Sequence, residues 1–295
     1  MKFALFIGCN IPARVGQYLT SARAVLDRLG VELADFRSFG CCGYPLRSLD
    51  QQGYLLSSVR NLAIAENAGL DILALCKCCF GSLKKAAQVL RESPSLKEEI
   101  NRFLGREGLE YQSRVQVKHI LSVLYHDVGL EALQGKIIKP YQGLKVAPQV
   151  GCHALRPSRV TQFDDPLHPV IFDALVRATG AESLAWDSRL DCCGAPLLGV
   201  NDEVSLQRTR DKIKKSREAG ADYLCTACPF CHLQFETAQK RPLSSEGSEK
   251  PVAPLLYTQL LGLSLGIEEE RLWSREDSVD SRDIRSYIRE DEKHA

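Results

Sequence analysis

The sequence predicts an α/β protein built as two tandem, related domains, each a small parallel sheet flanked by helices. Three observations carry that prediction. Short apolar runs alternate with longer stretches of helical periodicity. The alternation occurs twice along the chain. The same ordered set of cysteines accompanies each occurrence.

In the first copy, residues 3–7 form an uninterrupted apolar run that ends at Gly8-Cys9 and reads as a buried strand. Val15, Tyr18, Leu19, Ala22, Val25, Leu26 and Leu29 then recur at helical spacing, and Gly30 is the stop. Residues 50–68 form a second helix closed by Gly69, residues 72–75 a strand leading into Cys76, and another helix starts near Phe80. The stretch 91–143 is polar and helical. Within it, Lys118, Ile120, Leu121, Val123 and Leu124 mark one closing helix, on which His119 and His126 are read as structural. Residues 135–143 are the linker. In the second copy, residues 145–150 repeat the first strand, 169–179 a helix ended by Gly180, and 202–219 a long helix closed by Gly220. Residues 221–224 repeat the strand before the C-x-x-C, and a helix follows near Phe230. Residues 241–251 read as a surface loop, and the charged tail beyond 268, above all 277–295, as mobile or docked on a partner. The expected units are therefore 1–140, 144–267 and the tail 268–295. Strands alternating with helices imply Rossmann-like parallel sheets, which gather ligands at the carboxyl ends of their strands. Cys9, Cys76 and Cys152 fall at such ends, and Cys228 follows its strand closely.

Composition narrows the function classes. A length of 295 residues suits two domains, and 44% hydrophobic with 25% charged residues is a soluble globular balance. A net charge of +1 argues against a phosphate-neutralising surface, so nucleic acid is not an expected partner. No run approaches 18 apolar residues, so no membrane span is expected. Lys2 is followed by an apolar run too short for a secretory signal. The expected setting is cytoplasmic and reducing, where clustered cysteines bind metal or do redox chemistry.

The chain holds twelve cysteines. Cys9, the pair Cys41-Cys42-Gly43 and the C-x-x-C of Cys76 and Cys79 form one set. Cys152, the pair Cys192-Cys193-Gly194 and the C-x-x-C of Cys228 and Cys231 form the other. Corresponding cysteines are 143, 151 and 152 residues apart. Five ordered cysteines fit a four-ligand zinc site badly, and vicinal side chains diverge, so a vicinal pair ligates one tetrahedral ion poorly. Two vicinal thiolates can instead serve two irons of one cluster, and thiolate-rich sites suit iron–sulfur. Zinc, and buried or redox thiols, remain the alternatives. Cys78 and Cys225 lie outside the repeat. Cys78 reads as a spectator and Cys225 as a structural strand cysteine, although Cys225-x-x-Cys228-x-x-Cys231 has cubane-like spacing.

Together, Gly8-Cys9-Asn10-Ile11-Pro12-Ala13-Arg14, Cys41-Cys42-Gly43, Gly151-Cys152-His153 with Arg156-Pro157, Cys192-Cys193-Gly194 and Cys228-Pro229-Phe230-Cys231 resemble the B-type subunits of heterodisulfide reductase, from residue 1 to about 266. Duplicated Cys-Cys-Gly motifs are shared more broadly, with subunits of thiol:fumarate reductases and of several hydroxyacid oxidation systems. The resemblance implies two pseudo-two-fold-related domains, each holding a noncubane [4Fe–4S] cluster. It implies Cys9, Cys41, Cys42, Cys76 and Cys79 as one ligand set and Cys152, Cys192, Cys193, Cys228 and Cys231 as the other. It further implies reductive cleavage between the clusters of a disulfide, in methanogens that of coenzyme M and coenzyme B. The implied partners are the C-type iron–sulfur and A-type flavin subunits of the same complex.

Four further residues are candidate catalytic groups. His153 and His232 adjoin cluster cysteines, where imidazole delivers a proton to a product thiolate or tunes the cluster; solvent-facing or capping roles stand equally. Arg14 and Arg156 suit an anionic substrate group, or ordinary surface ion pairs. Two functions follow: the catalytic subunit of a heterodisulfide reductase-like complex, or an electron-transfer subunit of a dehydrogenase or sulfur-oxidising complex without its own disulfide. A zinc-binding structural protein is a third.

Overall fold

A computed structural model describes residues 1–240, 252–274 and 281–288. It contains two four-stranded parallel sheets of the same topology. The first is β1 (Lys2–Phe6), β2 (Glu32–Ala34), β3 (Ile72–Ala74) and β4 (Val117–His119), in the order β2-β1-β3-β4. The second is β5 (Lys145–Pro148), β6 (Glu182–Ser183), β7 (Tyr223–Thr226) and β8 (Ala253–Leu256), in the order β6-β5-β7-β8. The expected fold class, two related α/β halves, is the one observed.

The central strands β1, β3, β5 and β7 are the apolar runs of the sequence, buried on both faces as parallel strands require. The long helices repeat too. Asp50 caps helix Gln51–Asn67 by accepting the Gly53 N–H at 2.9 Å, and Asn201 caps helix Asp202–Glu218 by accepting the Val204 N–H at 3.1 Å. Both helices end before a glycine in the left-handed region, Gly69 and Gly220.

Some elements differ from expectation. Lys118 and His119 belong to β4, not to the closing helix, which begins at Ile120 and passes through a wide π-type turn at Val123–Gly129. The first C-x-x-C helix begins at Lys77, three residues before the expected start near Phe80, and the second at Pro229, beside the expected start near Phe230. The 135–143 segment is a packed strap: Tyr141 is buried, its N–H donates to the Thr179 carbonyl at 3.0 Å, and its hydroxyl donates to Leu260 O at 2.9 Å. Part of the tail docks on the chain itself. Ile284 is fully buried, Gln142 N–H donates to Tyr287 O at 2.8 Å, and Tyr141 pairs with Ile288. The expected loop 241–251 and the remainder of the tail lie outside the described residues.

A single apolar core runs through both halves. Helix Tyr257–Ser264, late in the chain, packs on helix Gly16–Arg28, early in it, and Ser21 and Thr258 share a buried hydroxyl–hydroxyl bond of 2.7 Å. This joint core fixes the halves so that the carboxyl ends of β1 and β3 meet those of β5 and β7.

Candidate metal centre

Each half builds a cavity from the same parts. In the first, Cys9 follows β1, Cys41 and Cys42 lie in the loop before helix Gln51–Asn67, and Cys76 is the N-cap of helix Lys77–Glu92, with Cys79 in its first turn. These five cysteines wall one cavity. Cys152, Cys192, Cys193, Cys228 and Cys231 wall the counterpart. Cys42, Cys76, Cys79, Cys193, Cys228 and Cys231 are all buried, whereas Cys9 and Cys41 are exposed.

The Cys-Cys loops are clamped by equivalent helix positions. Ser58 Oγ donates to Cys42 O at 2.6 Å, and Thr209 Oγ1 donates to Cys193 O at 2.8 Å. Gly43 (φ +75°) and Gly194 (φ +92°) each adopt the left-handed conformation and lie against the helix behind. A Cβ there would come within 2.8 Å of Tyr54 O and 2.4 Å of Ser205 O. Backbone conformation and helix contact each require glycine as the third residue of each Cys-Cys-Gly.

The two cavities share a wall. Cys76 and Cys228, equivalent residues of the two copies, bring their sulfurs to 4.0 Å, which places the pseudo-two-fold axis between them. The start of each C-x-x-C helix also lines the opposite cavity: Pro229 and Phe230 face the first, Lys77 and Cys78 the second. The sulfurs of Cys76, Cys78 and Cys228 lie within 4.8 Å of one another.

The thiols are strongly polarised by this crowding. Hydrogen bonding from Cys41, then from Cys79, pushes Cys42 down to about 3. Cys152 and Cys193 do the same for Cys192, down to about 2. Cys228 is lowered by Cys231, Cys76 and Cys78. The neighbouring thiols Cys41, Cys76, Cys79, Cys152, Cys193 and Cys231 are raised in turn. Clustered sulfurs with apolar walls are donors for a soft, thiolate-bound metal centre. The number, softness and enclosure of these donors fit an iron–sulfur cluster in each cavity.

The remaining candidates separate. His153 lines the second cavity, with Nδ1 at 3.4 Å from Cys152 Sγ and 3.6 Å from Cys78 Sγ, and with its ring edge-on to Tyr44 at 5.0 Å; burial lowers its pKa. His232 lines neither cavity. It is buried beside Thr226 (3.5 Å) and Glu236 (3.7 Å), and burial pushes it down to about 4. Arg14 lies in a groove of about 310 Å³, whose other walls include Asn10 of the first cavity, Ala195 of the second and Phe230 of both. Arg156 is exposed and lines none of these cavities. Cys225 is fully buried on β7 and also lines neither cysteine cavity. His119 is buried at the end of β4, its Nε2 3.1 Å from Ala227 O of the other half. Sequence reasoning missed Lys77 and Lys212, both buried beside the second site. Nothing in a lone lysine signals burial.

Two α/β halves, each presenting five cysteines at its strand ends, define a duplicated cysteine-rich redox scaffold. The family description "Cysteine-rich domain" matches residues 3–84 and 146–236. The chain is 35% identical over 293 residues to a protein of Methanosarcina acetivorans named as the B-type subunit of ferredoxin/F(420)H(2)-dependent CoB-CoM heterodisulfide reductase. That match covers 98% of this chain and 97% of its relative. A protein of Archaeoglobus profundus, named as similar to the heterodisulfide reductase B-type subunit, is 34% identical, with 92% and 93% coverage. The "8-methylmenaquinol:fumarate reductase membrane anchor subunit" of Wolinella succinogenes is 31% identical, with 95% and 98% coverage. Among solved structures, a hypothetical protein of Helicobacter pylori shares the fold at TM-score 0.71 and 18% identity. That match covers 92% of this chain and 50% of that one. The chain belongs to the family of heterodisulfide reductase B-type subunits. Among the described residues, no helix is long and apolar enough to cross a membrane.

Proposed function

We propose that this chain is the catalytic iron–sulfur subunit of a heterodisulfide reductase-type complex. Cys9, Cys41, Cys42, Cys76 and Cys79 hold one noncubane [4Fe–4S] cluster, and Cys152, Cys192, Cys193, Cys228 and Cys231 hold the other. The observation that carries the proposal is the 4.0 Å approach of Cys76 and Cys228, which sets two five-cysteine cavities against a common wall. When bound, the clusters supply the two electrons that cleavage of a disulfide consumes, one from each side of that wall.

The chain's own residues do the rest. Phe230 and Tyr44 add apolar surface to the wall of the first cavity, beside the buried Cys42, Cys76 and Cys79. Arg14, at the groove that joins both cavities, binds an anionic group of the substrate. His153 has its Nδ1 engaged by the Cys152 and Cys78 sulfurs, so Nε2 is the ring atom that carries a proton toward a product thiolate. His232 and Arg156 take no part, since neither reaches a cavity wall. The electrons arrive from the C-type iron–sulfur and A-type flavin subunits of the complex.

Anaerobic purification with iron and sulfide analysis tests the cluster assignment: about eight irons per chain are expected. Zinc without iron would overturn it. Cys42→Ser is expected to remove the first cluster's spectrum and spare the second. Turnover of a disulfide with reduced viologen, in the presence of the other subunits, tests catalysis. The likeness to a fumarate reductase membrane anchor favours a second reading, electron transfer without a disulfide substrate, which absence of turnover would support.

A further inference from the structure

The two halves repeat their cysteines but not their buried charge. Positions 61 and 212 are equivalent under the 151-residue offset that relates the Cys-Cys pairs. In the first half the position is neutral. Asn61 Nδ2 donates to Cys41 O at 3.0 Å, and its Oδ1 accepts the Gly40 N–H at 2.8 Å. In the second half it is Lys212, 2% exposed. Its ammonium donates to the backbone carbonyls of Ser188 and, at 3.2 Å, Asp191, and lies 4.7 Å over the Trp186 ring. Those carbonyls lead directly into Cys192-Cys193.

Lys77 adds a second buried cation. It is also 2% exposed and lines the second cavity, although it comes from the first half. Its Nζ donates to Gln149 O at 2.8 Å and Val150 O at 2.7 Å, and lies 5.2 Å from the Phe172 ring. The equivalent residue of the other copy is Pro229, which has no charge to return. Both ammonium groups are satisfied by carbonyls and ring faces; the acidic residue that acts on Lys212 is the exposed Asp191, whose charge water and salt screen. Burial brings Lys212 down to about 8, which leaves it cationic at pH 7. The first cavity has no lysine or arginine in its wall. Arg14 and Arg47 stand near it but are exposed, where water and salt screen them.

We infer that the two sites are electrostatically unequal, with Lys212 and Lys77 making the second the stronger electron acceptor. The inference rests on the proposed clusters. A buried cation stabilises the more negative, reduced state of a neighbouring centre, and low dielectric enlarges that effect. With five thiols proposed for each site, the buried lysines favour the second centre as the first to take up an electron from the C-type subunit, and no bond is made or broken.

The test is a redox titration of the full-length holoprotein followed by EPR and absorption, the second centre being the signal lost in Cys193→Ser. Lys212→Met is expected to lower the second centre's midpoint potential and leave the first in place, and Lys212→Arg to restore it. Lys77→Met reads the same sign independently, should Lys212→Met fail to fold. Full iron with an unmoved second potential in both methionine variants, or equal shifts of both centres, would overturn the inference alone. A wild type without iron would remove the cluster reading itself, and this inference with it.

Discussion

Replacing the glycine of each Cys-Cys-Gly by alanine tests the backbone conformation and the helix contact behind it, and the structure grades the two sites. Both glycines are left-handed, which costs an L-residue roughly 1–2 kcal/mol. The contacts differ. At Gly43 the new methyl would stand 2.8 Å from Tyr54 O, also a backbone atom of a helix, with Tyr54 Cδ2 at 3.1 Å and Ser57 Cβ at 3.2 Å. At Gly194 it would stand 2.4 Å from Ser205 O, a backbone atom inside a helix turn, and the hydroxyl of the same serine already binds the Gly194 carbonyl at 2.9 Å. Forcing a helix backbone aside adds the cost of overpacking, roughly 1–3 kcal/mol. Both variants should therefore lose about 2–5 kcal/mol, Gly194→Ala toward the upper end because its contact is the closer one. Thermal unfolding of the anaerobic holoprotein, with iron counted before and after, reads both. The expected order is wild type, then Gly43→Ala, then Gly194→Ala, with iron lost first from the second site. Equal stability of the two variants, or a worse Gly43→Ala, would refute the contact argument.

His119 should make the joint between the halves acid-sensitive. Its Nε2 donates to Ala227 O and its Nδ1 accepts the Leu121 N–H at 3.3 Å, so the ring is neutral; burial first, then the Lys77 ammonium, pushes it down to about 3. The unfolded chain takes up this proton below about pH 6.5 and the fold does not, so stability is present above that pH and falls below it by about 1.4 kcal/mol per pH unit. His119→Gln should flatten the pH dependence of the urea midpoint between pH 7 and 5 by one proton; an unchanged slope would contradict the assignment. Cys225→Ala and Cys78→Ala should both retain wild-type iron content; iron loss in either would promote that cysteine to ligand. Arg14→Leu should raise KM for a sulfonate- or phosphate-bearing disulfide while leaving kcat within a few fold, and an effect confined to kcat would move Arg14 out of the groove's binding role.

The parts of the fold legible in the sequence are those with long or chemically constrained patterns. The helices Gln51–Asn67 and Asp202–Glu218 span many turns and carry caps and terminal glycines. The ten repeated cysteines stand out because the same ordered spacing occurs twice. The edge strands are illegible because two to four residues show no period: Val117-Lys118-His119 merges with the apolar spacing of Ile120, Leu121, Val123 and Leu124 that follows it. The shared wall is illegible for another reason. That Phe230 lines the first cavity and Lys77 the second depends on how the halves dock, and no local pattern records docking. His232 shows the converse limit. Adjacency to Cys231 suggests a site role, but successive helix residues point some 100° apart, and the ring turns into the core toward Thr226 and Glu236.

Duplication explains why the centre sits where it does, and its breakdown explains why the two sites need not act alike. A single half would leave its C-x-x-C helix start open on one side. Docking with a copy closes each cavity with the other's Cys78 or Phe230 position and brings Cys76 to Cys228. Such a contact between equivalent residues is available only on a symmetry axis, so it constrains both copies at once and preserves the cysteine spacing in both. Residues behind the sulfurs are not so bound. Asn61 and Lys212 do the same structural task, holding the chain that enters a Cys-Cys pair, with different charge. A disulfide has two sulfurs that leave as different thiols when the substrate is unsymmetrical. Under the proposed function, two five-cysteine sites unequal in buried charge are suited to treating those two sulfurs differently.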